Sequence, residues 1–429
     1  MAPGSGDNNW WIARLAKIDV ARAQIQTLLK PKFQIAAPRW SPDGKQIAYI
    51  GGIMSDFGST GGDVFLIDPT SGVVRNATPS MPYSAAAIQW TGASQIAFLG
   101  HVPSGVKLFT LDVTNGNLRQ YGNDDEVMAH LSVSQNGEYA LSRSSFDLAP
   151  ELFVGKPEAL AQFTHSNAGA KRLWGKAVSL RWDSEAYKPQ GWLVYPLQFE
   201  ATRKYPMVVL PHGGPAAANL PSWGNRNVAA LSSRNYFVFL PNPRGSYGQG
   251  ETFTQANIKD FGYGDFRDIM SGVDAVLKAA PVDSQRMGLM GWSYGGYVAM
   301  WTETQTDRFK AIVAGAGLMN WQSYYGENQI DQWMIPYFGA SVYEDPAVYA
   351  RSSPVTFIKN AKTPALILQG EYDEEVPAPQ SFEFWHALKT LNVPTELVVY
   401  RDEGHGIRKP ADQIDMLTRI LGWFGKYLK

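Results

Sequence analysis

The sequence contains no cysteine. Disulfides and thiolate metal centres are therefore excluded, though the compartment stays open. It also lacks any uninterrupted apolar run near the roughly 18–20 residues of a membrane-spanning helix. Charge of either sign is not in excess, with 38 basic and 39 acidic residues. That balance favours neither a nucleic acid nor an anionic membrane surface as partner. The first residues, Met1-Ala2-Pro3-Gly4-Ser5-Gly6, have no basic region and no apolar stretch. No secretory signal is legible there, so a cytoplasmic location is expected. What the chain does have is apolar and aromatic material. Hydrophobic residues make up 45% of 429 positions, with 14 Trp and 20 Tyr. This suits two or three domains, or one large and one smaller.

The first part, to about residue 170, reads as all β. Trp40-Ser41-Pro42-Asp43-Gly44-Lys45-Gln46-Ile47-Ala48-Tyr49-Ile50 has a second copy from Trp90 to Leu99 and a worn third from Val133 to Leu141. Each is strand, polar Gly turn, strand, which is a hairpin pattern. Further hairpins turn at Thr70-Ser71-Gly72 and Thr114-Asn115-Gly116. Two hairpins per period of about 45 residues make a four-stranded propeller blade. With the half unit Lys17-Ile18-Asp19-Val20, about three and a half blades are expected, against an ordinary β-sandwich as the alternative. That is too few to close a ring, so the exposed edges need covering by the partner domain or another subunit. The acidic cluster Asp124-Asp125-Glu126 suits a substrate amino group less well than a solvated turn.

From about residue 171 onward the pattern changes. Two lead-in strands, Ala177–Trp182 and Gly191–Pro196, precede apolar runs separated by helical stretches. The runs are Met207–Leu210, Phe237–Leu240, Arg286–Leu289, Ala311–Ala314, Ala365–Leu368 and Glu396–Tyr400. Helices are expected from Asp265 to Lys278, Gln380 to Thr390 and Gln413 to Tyr427. Such alternation means a mostly parallel, doubly wound sheet with helices on both faces. Its chemistry belongs at the carboxyl ends of the strands.

One loop there carries Gly291-Trp292-Ser293-Tyr294-Gly295 between a strand and a helix. Gly-x-Ser-x-Gly in that context is the nucleophile-elbow pattern. The serine needs a strained turn, and close packing there leaves room only for glycine on either side. A serine nucleophile also needs a base, and the base needs an orienting acid, in the chain order Ser, acid, His. His405, in Gly404-His405-Gly406, is the only histidine of six placed after the final strand. Glu371, Asp373 and Glu374 compete for the acid, and position alone does not choose among them. His212-Gly213-Gly214-Pro215 follows another strand. Gly213 and Gly214 would offer backbone N–H groups to an oxyanion, with the N–H of Tyr294 as second donor. His212 itself reads as loop packing. The aromatic stretch that includes Trp321, Tyr325, Trp333 and Tyr337, with Val376, suits either a hydrophobic substrate pocket or helix–sheet core.

Together these motifs resemble the prolyl oligopeptidase family of serine peptidases, nearest its acylaminoacyl-peptidase branch. The matches run in order over the last 250 or so residues: His212–Pro215, Asn242-Pro243-Arg244-Gly245-Ser246-Tyr247-Gly248, Asp265-Phe266-Arg267-Asp268, Gly291–Gly296, Gly370–Asp373 with Val376-Pro377, and His405-Gly406-Ile407. The resemblance selects Asp373 as the acid. It implies an α/β-hydrolase domain, residues 171–429, preceded by a shortened, partial β-propeller, residues 1–170. It also implies hydrolysis of short or acylated peptides through a covalent acyl-enzyme, without cofactor or metal. Two departures stand out: Gln369 where the family usually has His, and His212 where some branches have an oxyanion tyrosine, which leaves an all-backbone hole. Phe163–Asn167 resembles the family's last-blade ending, so the blades missing from the set are early ones. Small peptides are the expected substrates, with non-peptide esters as the alternative and a catalytically dead binding module as a more distant one. Self-association through the open blade edges is expected.

Overall fold

The computed structural model describes residues 7–429. Met1–Gly6, which carried the signal-peptide reading, lie outside the described residues. The chain forms two compact units. One holds the chain up to Lys171 together with Ala216–Gly224 and Ser246–Gln255; the other holds Arg172–Pro215, Asn225–Gly245 and Ala256–Lys429. The units therefore do not divide at a single point in the chain.

The first unit begins with a two-stranded antiparallel pair, β1 (Leu15–Asp19) and β2 (Gln24–Leu29). Three antiparallel meanders follow. β3 (Gln34–Trp40), β4 (Ile47–Gly52), β5 (Asp63–Ile67) and β6 (Val74–Asn76) form a four-stranded sheet in chain order. β7 (Ser84–Trp90), β8 (Gln95–Val102), β9 (Gly105–Asp112) and β10 (Leu118–Tyr121) form the second meander. β11 (Val127–Val133), β12 (Tyr139–Ser144), β13 (Glu151–Lys156) and β14 (Ala159–Gln162) form the third. A single parallel pairing, Val127 with Val106, joins the last two into one sheet. The three repeat copies fall on β3–β4, β7–β8 and β11–β12.

Strand periodicity explains how these meanders stack. Successive side chains point to opposite faces of a strand. In β8, Ile96 and Phe98 enter one core with Ile50, Val64 and Leu66, while Ala97 and Leu99 enter another with Leu141 and Phe153. β9 divides likewise, Phe109 and Leu111 to the first core, Val106 and Leu108 to the second. The middle meander is thus apolar on both faces, as a propeller blade between two others must be. The segments from later in the chain join this unit through polar contacts. Ser59 Oγ donates to Ala216 O at 3.0 Å, and Tyr247 Oη donates to Ser59 O at 3.0 Å. The acidic cluster is not simply solvated: Glu126 is buried and bonded to Arg143, at 2.6 Å, while Asp124 stands exposed 3.7 Å from Lys107.

The second unit is an eight-stranded sheet flanked by helices. Its strands are β15 (Ala177–Arg181), β16 (Gln190–Val194), β17 (Tyr205–Val209), β18 (Phe237–Asn242), β19 (Val282–Trp292), β20 (Ala311–Gly315), β21 (Ala365–Gly370) and β22 (Thr395–Tyr400). They lie in the order β15-β16-β18-β17-β19-β20-β21-β22, with β16 antiparallel to both β15 and β18 and the remaining pairs parallel. β18, β20 and β21 are buried along their whole length, which is why they read as unbroken apolar runs. β19 is longer than its apolar run because its opening residues, Asp283-Ser284-Gln285, are polar and open to water. The register pairs Trp292 with Gly315, Gly315 with Leu368 and Gly370 with Tyr400. Four strands therefore end on one edge of the sheet, and the loops that follow start beside one another.

Phe98 and Phe109 stack at 4.8 Å with no solvent exposure. Phe98→Ala should cost the first unit about 3–5 kcal/mol, read as a lowered midpoint in denaturant unfolding, whereas truncating the exposed Phe57 should leave it nearly unchanged.

Candidate active site

Ser293 sits between the end of β19 and the helix Tyr294–Gln305 with φ 59° and ψ −124°. A serine there carries roughly 1–3 kcal/mol of backbone strain. The surroundings hold it in place. Its N–H donates to Gly315 O at 3.0 Å, and its C=O accepts from Tyr297 N at 2.9 Å to start the helix. A Cβ at Gly291 would collide with Gly295 O, and one at Gly295 would lie 2.5 Å from Pro211 O. The two glycines of the motif are required by contact with backbone, as the spacing predicts.

The loop after β17 lies against this turn. A Cβ at Gly213 would be 3.4 Å from Ser293 Cβ and 4.0 Å from its Oγ. His212 Nδ1 donates to Gly213 O at 2.6 Å. Burial lowers the His212 pKa to about 4, so the ring is neutral and this N–H is its one proton. In a trans peptide the N–H points opposite to the C=O. Fixing the Gly213 carbonyl therefore fixes the direction of the Gly214 N–H. Gly214 holds φ 118°, a conformation that favours glycine. The Tyr294 N–H opens the helix, where partial positive charge collects.

Of the three competing acids only Asp373 meets the histidine. Its Oδ2 lies 2.8 Å from His405 Nδ1, and its side chain is fully buried. Oδ1 accepts from the backbone N–H of Glu375 at 3.0 Å and Val376 at 2.8 Å. Glu371 instead accepts from Asp402 N at 3.0 Å, and Glu374 points to solvent. Gln369, the departure from the family pattern, is buried beneath the acid. Its Nε2 reaches Asp373 Oδ2 at 3.4 Å and Val376 O at 3.0 Å, and its Oε1 accepts from Ser381 Oγ at 2.7 Å. The histidine loop is tied to its neighbours on both sides. Tyr372 N donates to Glu403 O at 2.8 Å, and the Trp292 indole donates to His405 O at 2.8 Å. The second of these joins His405 to the residue directly before Ser293.

The sequence missed two features. Glu375 Oε2 stands 3.6 Å from His405 Nε2, with its side chain 47% exposed. Its place two residues past Asp373 is the sequence signal that could have found it. The other is a buried pair beneath the elbow, in which Tyr294 Oη donates to Asp265 Oδ2 at 2.6 Å. The aromatic stretch is mostly core. Trp321, Trp333, Tyr337 and Val376 are each under 5% exposed. Trp321, Trp333 and Tyr337 pack around Phe261, at 5.2 to 6.3 Å between ring centroids. Tyr325 lies to one side against Tyr343 and Tyr349. As the lining of an open pocket these residues offer almost no surface; as support for Tyr294, which packs on Phe261 at 5.0 Å, they offer much.

Burial raises the Asp265 pKa from 3.8 to about 7. The unfolded chain releases this proton first, so its share of stability is whole below about pH 4 and is lost as pH rises toward 7. Asp265→Asn removes that loss. The variant should gain up to a few kcal/mol on the wild type between pH 4.5 and 7.5, measured by urea unfolding at each pH; a parallel course of the two curves would contradict the assignment.

Residues 222–429 match the prolyl oligopeptidase family. Dipeptidyl-peptidase 5 of Porphyromonas gingivalis is 29% identical over 405 residues, covering 91% of this chain and 59% of that protein. Human acylamino-acid-releasing enzyme is 31% identical over 231 residues, 52% of this chain and 31% of that one. The chain thus spans well under two thirds of these relatives. Among solved structures, Pyrococcus horikoshii acylaminoacyl peptidase superposes with a TM-score of 0.81 at 23% identity, over 95% of this chain and 65% of that one. That likeness bears on the fold, a β-propeller with an α/β-hydrolase. The span 222–429 takes in the elbow and both loops that bring Asp373 to His405, and over that span the chain is similar to the prolyl oligopeptidase family.

Proposed function

We propose that this chain is a serine hydrolase that cleaves short or acylated peptides through a covalent acyl-enzyme. The observation that carries the reading is the 2.8 Å contact of Asp373 Oδ2 with His405 Nδ1, on a loop bonded to the strained serine turn. With Nδ1–H given to Asp373, His405 keeps a lone pair on Nε2. Nε2 takes the Ser293 proton as Oγ attacks the substrate carbonyl. The N–H groups of Gly214 and Tyr294, with Gly213 beside them, receive the charge that develops on oxygen. Nε2–H then protonates the leaving amine, and water repeats the sequence in reverse to free the acid. No step calls for a cofactor or metal.

The substrate class follows from the relatives, a dipeptidyl-peptidase and an enzyme that releases acylated amino acids. The proposal extends to a domain division near residues 170/171, a cytoplasmic location and self-association through blade edges. Among the described residues no helix is long and apolar enough to cross a membrane. The edge strand β14 and the outer pair β1–β2, with Ile18 and Ile25 more than half exposed, are the surfaces through which copies would pair. Sedimentation giving only monomer would end that part.

A fluorophosphonate should label Ser293 of the wild type, located by peptide mass, and Ser293→Ala should remove both label and turnover, by at least about 10³-fold. Peptide anilides and N-acyl peptides should be hydrolysed along with aryl esters. Turnover of esters alone would replace the peptidase reading by a carboxylesterase.

A further inference from the structure

Resting on the reading of Ser293 as nucleophile and of the Tyr294 N–H as an oxyanion donor, the geometry points to Asp265 as a positioning residue. It holds the far end of the Tyr294 side chain and, through it, the aim of that N–H. The Tyr294 N–H lies in the Ser293–Tyr294 peptide plane. Its direction is therefore set by ψ of Ser293, at −124°, and by φ of Tyr294 itself. Ser293 is the strained residue of the turn, and any relaxation of its torsions swings that plane. Hydrogen bonds hold the Ser293 side: its N–H donates to Gly315 O at 3.0 Å, and its C=O accepts from Tyr297 N at 2.9 Å. Tyr294 opens its helix, so its own N–H has no intrahelical partner. That N–H must stay unpaired to serve an oxyanion, which leaves the side chain to do the holding.

The side chain is only 4% exposed. Its ring packs on Phe261 at 5.0 Å and on Tyr297 at 5.1 Å between centroids. The phenol proton goes to Asp265 Oδ2 at 2.6 Å. Asn257 Nδ2 stands 3.5 Å from the same oxygen and, as a donor, cannot take that proton. Asp265 is fixed in turn. It is 1% exposed, in the first turn of the helix Gly264–Ala279, and its Oδ1 accepts from Gly262 N at 2.9 Å and Phe266 N at 2.8 Å. The nearby acids are engaged elsewhere: Asp268 pairs with Arg244 at 2.6 Å, and Asp260 accepts from Gly264 N at 2.9 Å. The tyrosine ring is thus a strut between two helix starts. The residue after the nucleophile cannot follow a relaxing serine without breaking a buried hydrogen bond at the strut's far end.

The test compares two ketones that share one acyl group, 1,1,1-trifluoro-4-phenylbutan-2-one and 4-phenylbutan-2-one, as inhibitors of 4-nitrophenyl 3-phenylpropanoate hydrolysis. Ser293 Oγ adds to the trifluoromethyl ketone, and the hemiketal oxygen takes the place of the oxyanion. The methyl ketone stays a ground-state ligand. The ratio of its inhibition constant to that of the trifluoromethyl ketone reads the oxyanion site, whatever the amount of folded enzyme. That ratio should fall about 10-fold in Asp265→Leu and in Tyr294→Phe, less than the order of 10²–10³ for outright loss of a donor. It should fall no further in the double variant, because both changes remove the same bond. Asp265→Asn, which keeps a hydrogen bond at the phenol oxygen with its amide donating, should recover most of the loss seen in Asp265→Leu. Tyr294→Phe keeps the ring packing and decides the matter where Asp265→Leu does not fold. A ratio unchanged in Tyr294→Phe, losses that multiply in the double variant, or an Asp265→Asn as impaired as Asp265→Leu overturns the assignment. Failure of the underlying reading looks different: the trifluoromethyl ketone would then bind the wild type and Ser293→Ala equally well.

Discussion

Asp373 decides which nitrogen of His405 carries the proton, and the chemistry of the site depends on that choice. An imidazole can be a base at only one nitrogen at a time. The 2.8 Å contact with a buried carboxylate assigns the proton to Nδ1 and leaves Nε2 available. The acid is held in turn. Two backbone N–H groups and the Gln369 amide converge on it, and Gln369 is itself pinned through Ser381. A group ordered in this way loses little entropy when it acts, which is what preorganisation contributes to catalysis.

The parallel sheet makes this arrangement attainable from distant parts of the chain. Because the strands share a direction and are in register, the loops after β17, β19, β21 and β22 emerge side by side. They are then joined by contacts that leave no slack. Gly370 abuts the backbone of Gly404, Gly295 abuts Pro211, and the Trp292 indole holds the carbonyl of His405. Beneath the elbow, the buried Tyr294–Asp265 hydrogen bond and the aromatic layer around Phe261 support Tyr294, whose N–H is the proposed second oxyanion donor. Strain at Ser293 persists because all of these neighbours hold the turn at once.

Much of this was legible in the residues. Unbroken apolar runs gave the buried strands β18, β20 and β21, and repeats of strand, Gly turn and strand gave the meanders of the first unit. Gly-x-Ser-x-Gly marked its loop because contact with backbone excludes a side chain at Gly291 and Gly295, and His-Gly-Gly because Gly214 holds a φ of 118°, whereas Gly404 and Gly406 have room for a Cβ and marked their loop by pattern alone. The choice among Glu371, Asp373 and Glu374 was not legible from position. It turns on which carboxylate the loop folds inward, a property of backbone hydrogen bonds from residues 375 and 376. Glu375 was missed for a related reason, since an acid next to two others reads as solvated surface. The aromatic stretch was ambiguous because Trp and Tyr are equally suited to a pocket wall and a core, and only burial separates the two. That two loops from beyond residue 171 pack with the blades is likewise invisible to a reading that proceeds along the chain.

Asp373→Asn tests the orienting role most directly, since it keeps the shape of the acid and reverses what it can offer Nδ1. If Asp373 sets the tautomer of His405, acylation of Ser293 at neutral pH, followed as the rate of fluorophosphonate labelling, should fall on the order of 10³- to 10⁴-fold while the unfolding midpoint moves little. Labelling within a few-fold of the wild-type rate would mean that the contact at 2.8 Å is not what makes His405 a base.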